Sequence, residues 1–188
     1  MITSIRVGFT AGRGPIGAAI RHVDRDPDGR PSAINHVLLR VTYPDIDLIF
    51  QSHGVRGVGL CYTSDIVRAV HELRVFRYAE QRLFLSSDDL VRADHRMRHI
   101  SGRGYDHWQI LLYYAAKRLG FGGATKHGIS GRYTCNEAVW HVLKGLVPCW
   151  IGDVAKTPAE IFYDVFGETS NDYFQRHSAI DFHNGGCL

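Results

Sequence analysis

The sequence predicts an α+β domain in which one antiparallel sheet packs against helices. Three observations lead there. Two apolar segments, 34–43 and 47–53, are separated by Pro44-Asp45 and read as a hairpin. Helix starts recur further along the chain, at Ser86-Ser87-Asp88-Asp89, Thr134-Cys135-Asn136-Glu137 and Thr157-Pro158-Ala159-Glu160, the last two with the Thr-x-x-Glu spacing of a capping box. A chain of 188 residues, 45% of them hydrophobic, suffices for one core.

In chain order, residues 5–9 read as a short strand, followed by a glycine-rich stretch at 12–17 and a short helix from Pro15 to Val23. Asp24 to Ser32, with two Pro, one Gly and three Asp, is a loop. The strands 34–43 and 47–53 come next, then a turn-rich stretch over 54–59, a helix over 64–72 and a strand over 75–79. A helix runs from the Ser86 region to Ile100, where Gly102 and Gly104 end it. Trp108, Leu111, Leu112, Ala115 and Leu119 recur at three- and four-residue steps, predicting a helix over 106–119 that stops at Gly120. A loop from Gly122 to Tyr133 leads to a helix over 135–144, and 147–151 is a strand or loop. The last helix covers 158–166, with Pro158 at its first position. These elements form one domain over 1–168; the polar residues 169–188 are expected to be a peripheral tail.

Composition excludes several functions. The net charge of +3 comes from 22 basic and 19 acidic residues, and the densest basic stretch, Arg92 to Arg103, is interrupted by Asp94, so it reads as a solvated helix face rather than a nucleic-acid site. No basic segment followed by an apolar one opens the chain, and no apolar run approaches the ~18 residues of a membrane span. A soluble, cytoplasmic protein is expected. Cys61, Cys135, Cys149 and Cys187 include no Cys-x-x-Cys pair, which argues against a zinc ribbon or redox dithiol. His95 and His99 share a helix face but lack a third ligand nearby in sequence, and there is no His-Glu-x-x-His.

Cys135 stands apart from the other cysteines. With Thr134 as N-cap, it is the first residue of an amphipathic helix whose stripe is Ala138, Val139, Val142, Leu143 and Leu146. The positive end of the helix and its free N–H groups favour a thiolate there and can also hold an oxyanion. A cysteine nucleophile needs a base, and His36 lies within the apolar strand 34–41. The base in turn needs an orienting group. Gln51 and His53 share one face of the adjacent strand by the two-residue period, and either can accept the His36 N–H.

These pieces occur in a familiar order. Asn35-His36-Val37-Leu38-Leu39 resembles the histidine strand, Leu48-Ile49-Phe50-Gln51-Ser52 with Gly54-Val55 the following strand, and Tyr133-Thr134-Cys135-Asn136-Glu137-Ala138-Val139 the nucleophile helix of the circularly permuted NlpC-type papain-like superfamily, the YiiX-like cysteine peptidases and amidases. Gly104-Tyr105-Asp106-His107-Trp108, Thr157-Pro158-Ala159-Glu160-Ile161 and the Pro15–Ile20 helix resemble its flanking segments, so the likeness covers residues 8 to 166. Asn35 stands where relatives have Ser, Asn136 replaces the Ser after the cysteine, and Gln51 stands where many have Glu. The Asn-Cys-Glu-His signature of the lipid acyltransferase relatives is absent.

The resemblance implies a permuted papain-like fold and a hydrolase that cleaves amide bonds in peptides, cell-wall peptides or a related acyl substrate. Cys135 would be the nucleophile, ion-paired as thiolate with a His36 imidazolium, with Gln51 fixing the ring and His53 as the alternative. No cofactor or metal is implied, because thiol and imidazole suffice. A binding module on the same fold without chemistry, or an ester or lipid acyl hydrolase or transferase, is the rival reading.

Overall fold

Five antiparallel strands form the central sheet of the protein, in the order β4-β3-β2-β1-β5. They are β1 (Ser4–Gly12), β2 (His36–Thr42), β3 (Asp47–His53), β4 (Gly57–Tyr62) and β5 (Val75–Arg82). The computed structural model describes residues 1–72, 74–110, 131–148, 150 and 156–177. The helices with assigned bounds are α1 (Pro15–Val23), α2 (Thr63–His71), α3 (Ser87–Ile100), α4 (Cys135–Leu143), α5 (Pro158–Phe166) and α6 (Ser170–Arg176). Residues 107–110 are helical too, and the rest of the helix expected over 106–119 lies outside the described residues. So do Cys149, Cys187 and most of the loop expected over 122–133. Among the described residues no helix is long and apolar enough to cross a membrane.

The two-residue period of the strands divides the sheet into unequal faces. Ile5, Val7 and Phe9 of β1 lie opposite Val41, Leu39 and Val37 of β2. Together with Phe50 and Ala79 they form one buried surface with Ala93, Met97 and Ile100 of α3, Ala138, Val139, Val142 and Leu143 of α4, and Ile161 and Phe162 of α5. Each aliphatic or aromatic side chain buried this way contributes roughly 1.5–3 kcal/mol before the entropy of ordering it is subtracted. The other face holds a smaller cluster of Leu38, Ile49 and Tyr78 under Ile66 of α2, with Cys61 packed against it. Gly8 lets Leu38 lie flat there, because a Cβ at that position would sit 2.5 Å from Leu38 Cδ1.

Two expectations need correction. The stretch over 54–59, expected to be rich in turns, is turn at 54–56 only; β4 begins at Gly57 and runs as an edge strand paired with β3 from His53↔Gly57 to Leu48↔Tyr62. Gly57 has φ of +72°, and a Cβ there would meet Arg103 O at 2.3 Å, so the glycine allows the chain to pass close under residues 103–104. Residues 169–177 are not a loose polar tail. Thr169 caps α6, its Oγ1 accepting the Asp172 N–H. The buried Asp26 carboxylate then accepts from Ser170 Oγ at 2.9 Å, from Asn171 N at 3.1 Å and from Asn171 Nδ2 at 3.0 Å. Ser170 and Tyr173 are buried, so the domain extends past residue 168.

Candidate active site

The β2–β3 ladder runs from Thr42↔Asp47 to Leu39↔Phe50 and stops there, so the two strands part at the end that carries His36 and Gln51. The N-terminus of α4 occupies this fork. On the β3 side Ser52 Oγ donates to Tyr133 O at 2.7 Å. On the β2 side Cys135 Sγ accepts the backbone N–H of Val37, the residue that follows His36. Sγ also accepts from the N–H of Asn136 and from its own.

Local sequence explains why a helix starts here. Glu137 Oε2 accepts the Thr134 N–H at 2.9 Å, the reciprocal half of a capping box. Thr134 Oγ1 lies 3.0 Å from the same carboxylate oxygen and 2.8 Å from Asn136 Oδ1. Asn136 Nδ2 donates to Lys156 O at 2.9 Å, tying α4 to the segment that opens α5. The Asn in place of Ser after the cysteine thus bridges two elements, which a serine is too short to do.

His36 is the first residue of β2, and its Nε2 lies 2.9 Å from Gln51 Oε1. An amide oxygen only accepts, so Nε2 carries the hydrogen and Nδ1 keeps the basic lone pair. Gln51 Nε2 donates to Cys61 Sγ at 3.3 Å. Of the two orienting groups the sequence offers, Gln51 is the one bonded to His36. His53 sits two residues further along β3, where its Nδ1 accepts the Val55 N–H across the β3–β4 turn. Its charged form is disfavoured by burial first and by the His36 charge next, so it lies within electrostatic reach of the site.

The electrostatics differ from the expected ion pair. Cys135 is only 5% exposed. Burial pushes its thiol up to about 11 even though three N–H groups oppose the rise, and the charge of buried Asp24 adds to it. Burial also lowers His36 below its ordinary 6.5, opposed by the Gln51 hydrogen bond. The resting pair is therefore a neutral thiol and a neutral imidazole. The helix N-terminus acts on Cys135 in the expected direction, but desolvation of the charged form is the larger effect. Among the described residues no hydrogen bond joins Cys135 Sγ to the His36 ring, as suits a thiol held by backbone amides.

Asp24, Ser52 and Cys61 are site residues that sequence reasoning missed. Asp24 Oδ2 accepts the Ala159 N–H at the start of α5, 3.2 Å away, from a loop whose composition signalled only a turn. Ser52 is fully buried, and its alternation with Gln51 was the one available hint that it faces α4. Cys61 belongs to the overlooked strand β4. Among the described residues no group of three His, Cys, Asp or Glu side chains could hold a metal ion. His95 and His99 are exposed on α3.

These elements define an α+β protein with a buried cysteine at a helix start, wedged between two strands that carry a hydrogen-bonded His–Gln pair. In comparisons with known proteins, no family model matches the chain and no curated protein is significantly similar to it.

Proposed function

We propose that this protein is a cysteine hydrolase of permuted papain-like architecture, acting on an amide bond in a peptide, a cell-wall peptide or a related acyl compound. The observation that carries the reading is the seating of Cys135 Sγ on the Val37 N–H, one peptide from a histidine already oriented by Gln51. The order of histidine strand, glutamine strand and cysteine helix supports it further.

The neutral resting pair shapes the mechanism. As Sγ attacks the carbonyl carbon, its proton passes to His36 Nδ1 and the carbonyl oxygen becomes an oxyanion. The Cys135 N–H donates to that oxygen at the positive end of α4. Collapse of the tetrahedral adduct breaks the C–N bond, and the proton on His36 leaves with the amine. His36 then takes a proton from water, which attacks the thioester, and the proton returns to the departing thiolate. Gln51 Oε1 accepts the Nε2–H throughout and holds the ring in one tautomer.

A second reading, a binding module on the same scaffold, is favoured by one observation, the thiol held near 11. Turnover separates the two. A peptide amide and a p-nitrophenyl ester would be offered to the wild type, Cys135→Ala, His36→Ala and Cys187→Ala. Hydrolysis lost in the first two variants and kept in the third supports the hydrolase. Turnover by none of the proteins, or equal turnover by Cys135→Ala, removes it.

A further inference from the structure

We infer that Cys61 is a positioning residue, whose sulfur selects the orientation of the Gln51 amide and thereby the tautomer of His36. The inference deepens the proposed function and rests on it for its catalytic meaning, although its structural content can be tested alone.

A glutamine amide has two orientations of the same shape, which exchange an oxygen acceptor for an NH2 donor. With Oε1 toward His36, the ring must be protonated at Nε2, and Nδ1 is left free to take a proton from a thiol. With Nε2 toward His36, the ring nitrogen there must accept, the hydrogen moves to Nδ1, and the histidine can no longer serve as base on that side. Sterics do not distinguish the two states, so the partner at the far end of the amide decides.

That partner is Cys61. Gln51 Nε2 lies 3.3 Å from its Sγ while Oε1 lies 2.9 Å from His36 Nε2, so the three side chains form a relay across β4, β3 and β2. The register supports the relay. Cys61 pairs with Ile49, two residues before Gln51 on the same face, and Gly59 pairs directly with Gln51. Cys61 is half-buried and packs against the small cluster of Leu38, Ile49, Ile66 and Tyr78, which fixes where the sulfur sits. Sulfur accepts from an amide N–H, whereas a thiol S–H is a weak donor and supports the flipped state poorly. A neutral hydrogen bond of this kind corresponds to roughly a 2- to 10-fold preference for one orientation. Cys61 has no part in bond making; it acts through Gln51.

The test uses protein labelled with 15N-histidine, with the His36 ring read by long-range proton–nitrogen NMR. The wild type is expected to show the Nε2–H tautomer. Cys61→Val, which keeps the volume and removes the acceptor, is expected to raise the Nδ1–H population and to slow Cys135-dependent turnover roughly 2- to 10-fold. A glutamate at position 51 presents oxygen whichever way it turns, so in Gln51→Glu the further change Cys61→Val should leave the tautomer unmoved. Melting curves of each variant identify any that fail to fold, and the Gln51→Glu pair carries the test should Cys61→Val be one of them. An unchanged tautomer in folded Cys61→Val, or an equal response with and without Gln51→Glu, overturns the inference. A shifted tautomer in a protein that hydrolyses nothing upholds it and removes the hydrolase reading instead.

Discussion

Burial of Cys135 makes a quantitative prediction about its reactivity. With the thiol near 11, the thiolate fraction at about pH 7.5 is roughly 0.03%, against roughly 9% for an ordinary cysteine near 8.5. That is about a 300-fold deficit. The more basic thiolate is intrinsically more nucleophilic, and a Brønsted slope near 0.45 recovers about ten-fold of it. Cys135 should then alkylate about 30-fold more slowly than the cysteine of an unstructured peptide, and more slowly still with a bulky reagent. Its rate should climb through pH 8 and 9 without a plateau. Iodoacetamide labelling over a pH series, followed for each cysteine by peptide mass spectrometry, measures this. His36→Ala should barely move the profile, because no ion pair exists at rest to be broken. A rate that levels off below about pH 7 would mean that a preformed thiolate–imidazolium pair wins over desolvation, and the electrostatic argument would be refuted.

Other consequences follow from the same residues. The His36 pKa is lower in the folded protein than its ordinary 6.5. Its contribution to stability is thus fully present above about 6.5 and lost as pH falls toward the folded value; chemical denaturation between about pH 7.5 and 5 should show a smaller loss in His36→Gln than in the wild type. Cys135 has the opposite sign. Its folded pKa is raised to about 11, so stability is full below about 9 and falls as pH rises toward 11, a loss that Cys135→Ala should not show. Ser52→Ala removes the hydrogen bond that seats Tyr133 in the strand fork, while the Asp106 N–H still reaches the same carbonyl; about 0.5–1.5 kcal/mol should be lost, lowering the melting temperature by roughly 1–6 °C. Asp26→Ala withdraws the acceptors that dock α6, and limited proteolysis should then cut within residues 169–177 while the rest of the domain resists.

On the proposed hydrolase function, the energetics also place a demand on the substrate. Moving the Cys135 proton to His36 at rest runs against both shifts, because burial disfavours the thiolate and the imidazolium alike. An acyl carbonyl that accepts the sulfur's electrons as the proton leaves avoids that free thiolate, as general-base activation requires. A carbonyl with a poor leaving group therefore depends strongly on the oxyanion contact at the start of α4.

Parts of this arrangement were legible in the sequence because they depend on local chemistry. Pro44-Asp45 between two apolar runs announced the β2–β3 hairpin. Thr134 with Glu137, and Thr157 with Glu160, announced the starts of α4 and α5, and the Glu160 and Glu137 carboxylates do accept the cap N–H groups. What escaped either lacked a strand-like composition or depends on partners far away in the chain. β4 carries Gly57 and Gly59, residues depleted in strands, and is tolerated as an edge strand against β3. α6 has little apolar stripe to read; three hydrogen bonds to Asp26, more than 140 residues earlier, dock it. The burial of Cys135 escaped for the same reason. Its helix position is local and visible, whereas its burial beneath β2 is a property of the folded chain.

The most direct test of the central claim is to look for an acyl group on Cys135. The protein would be mixed briefly with p-nitrophenyl acetate, quenched in acid, digested and mapped by mass spectrometry, in wild-type and His36→Ala forms. The account predicts an acetyl group on Cys135 that forms and turns over in the wild type, and at least about 100-fold slower acylation without His36, consistent with loss of a general base. Acetylation confined to other residues, or undiminished at Cys135 in His36→Ala, would contradict it.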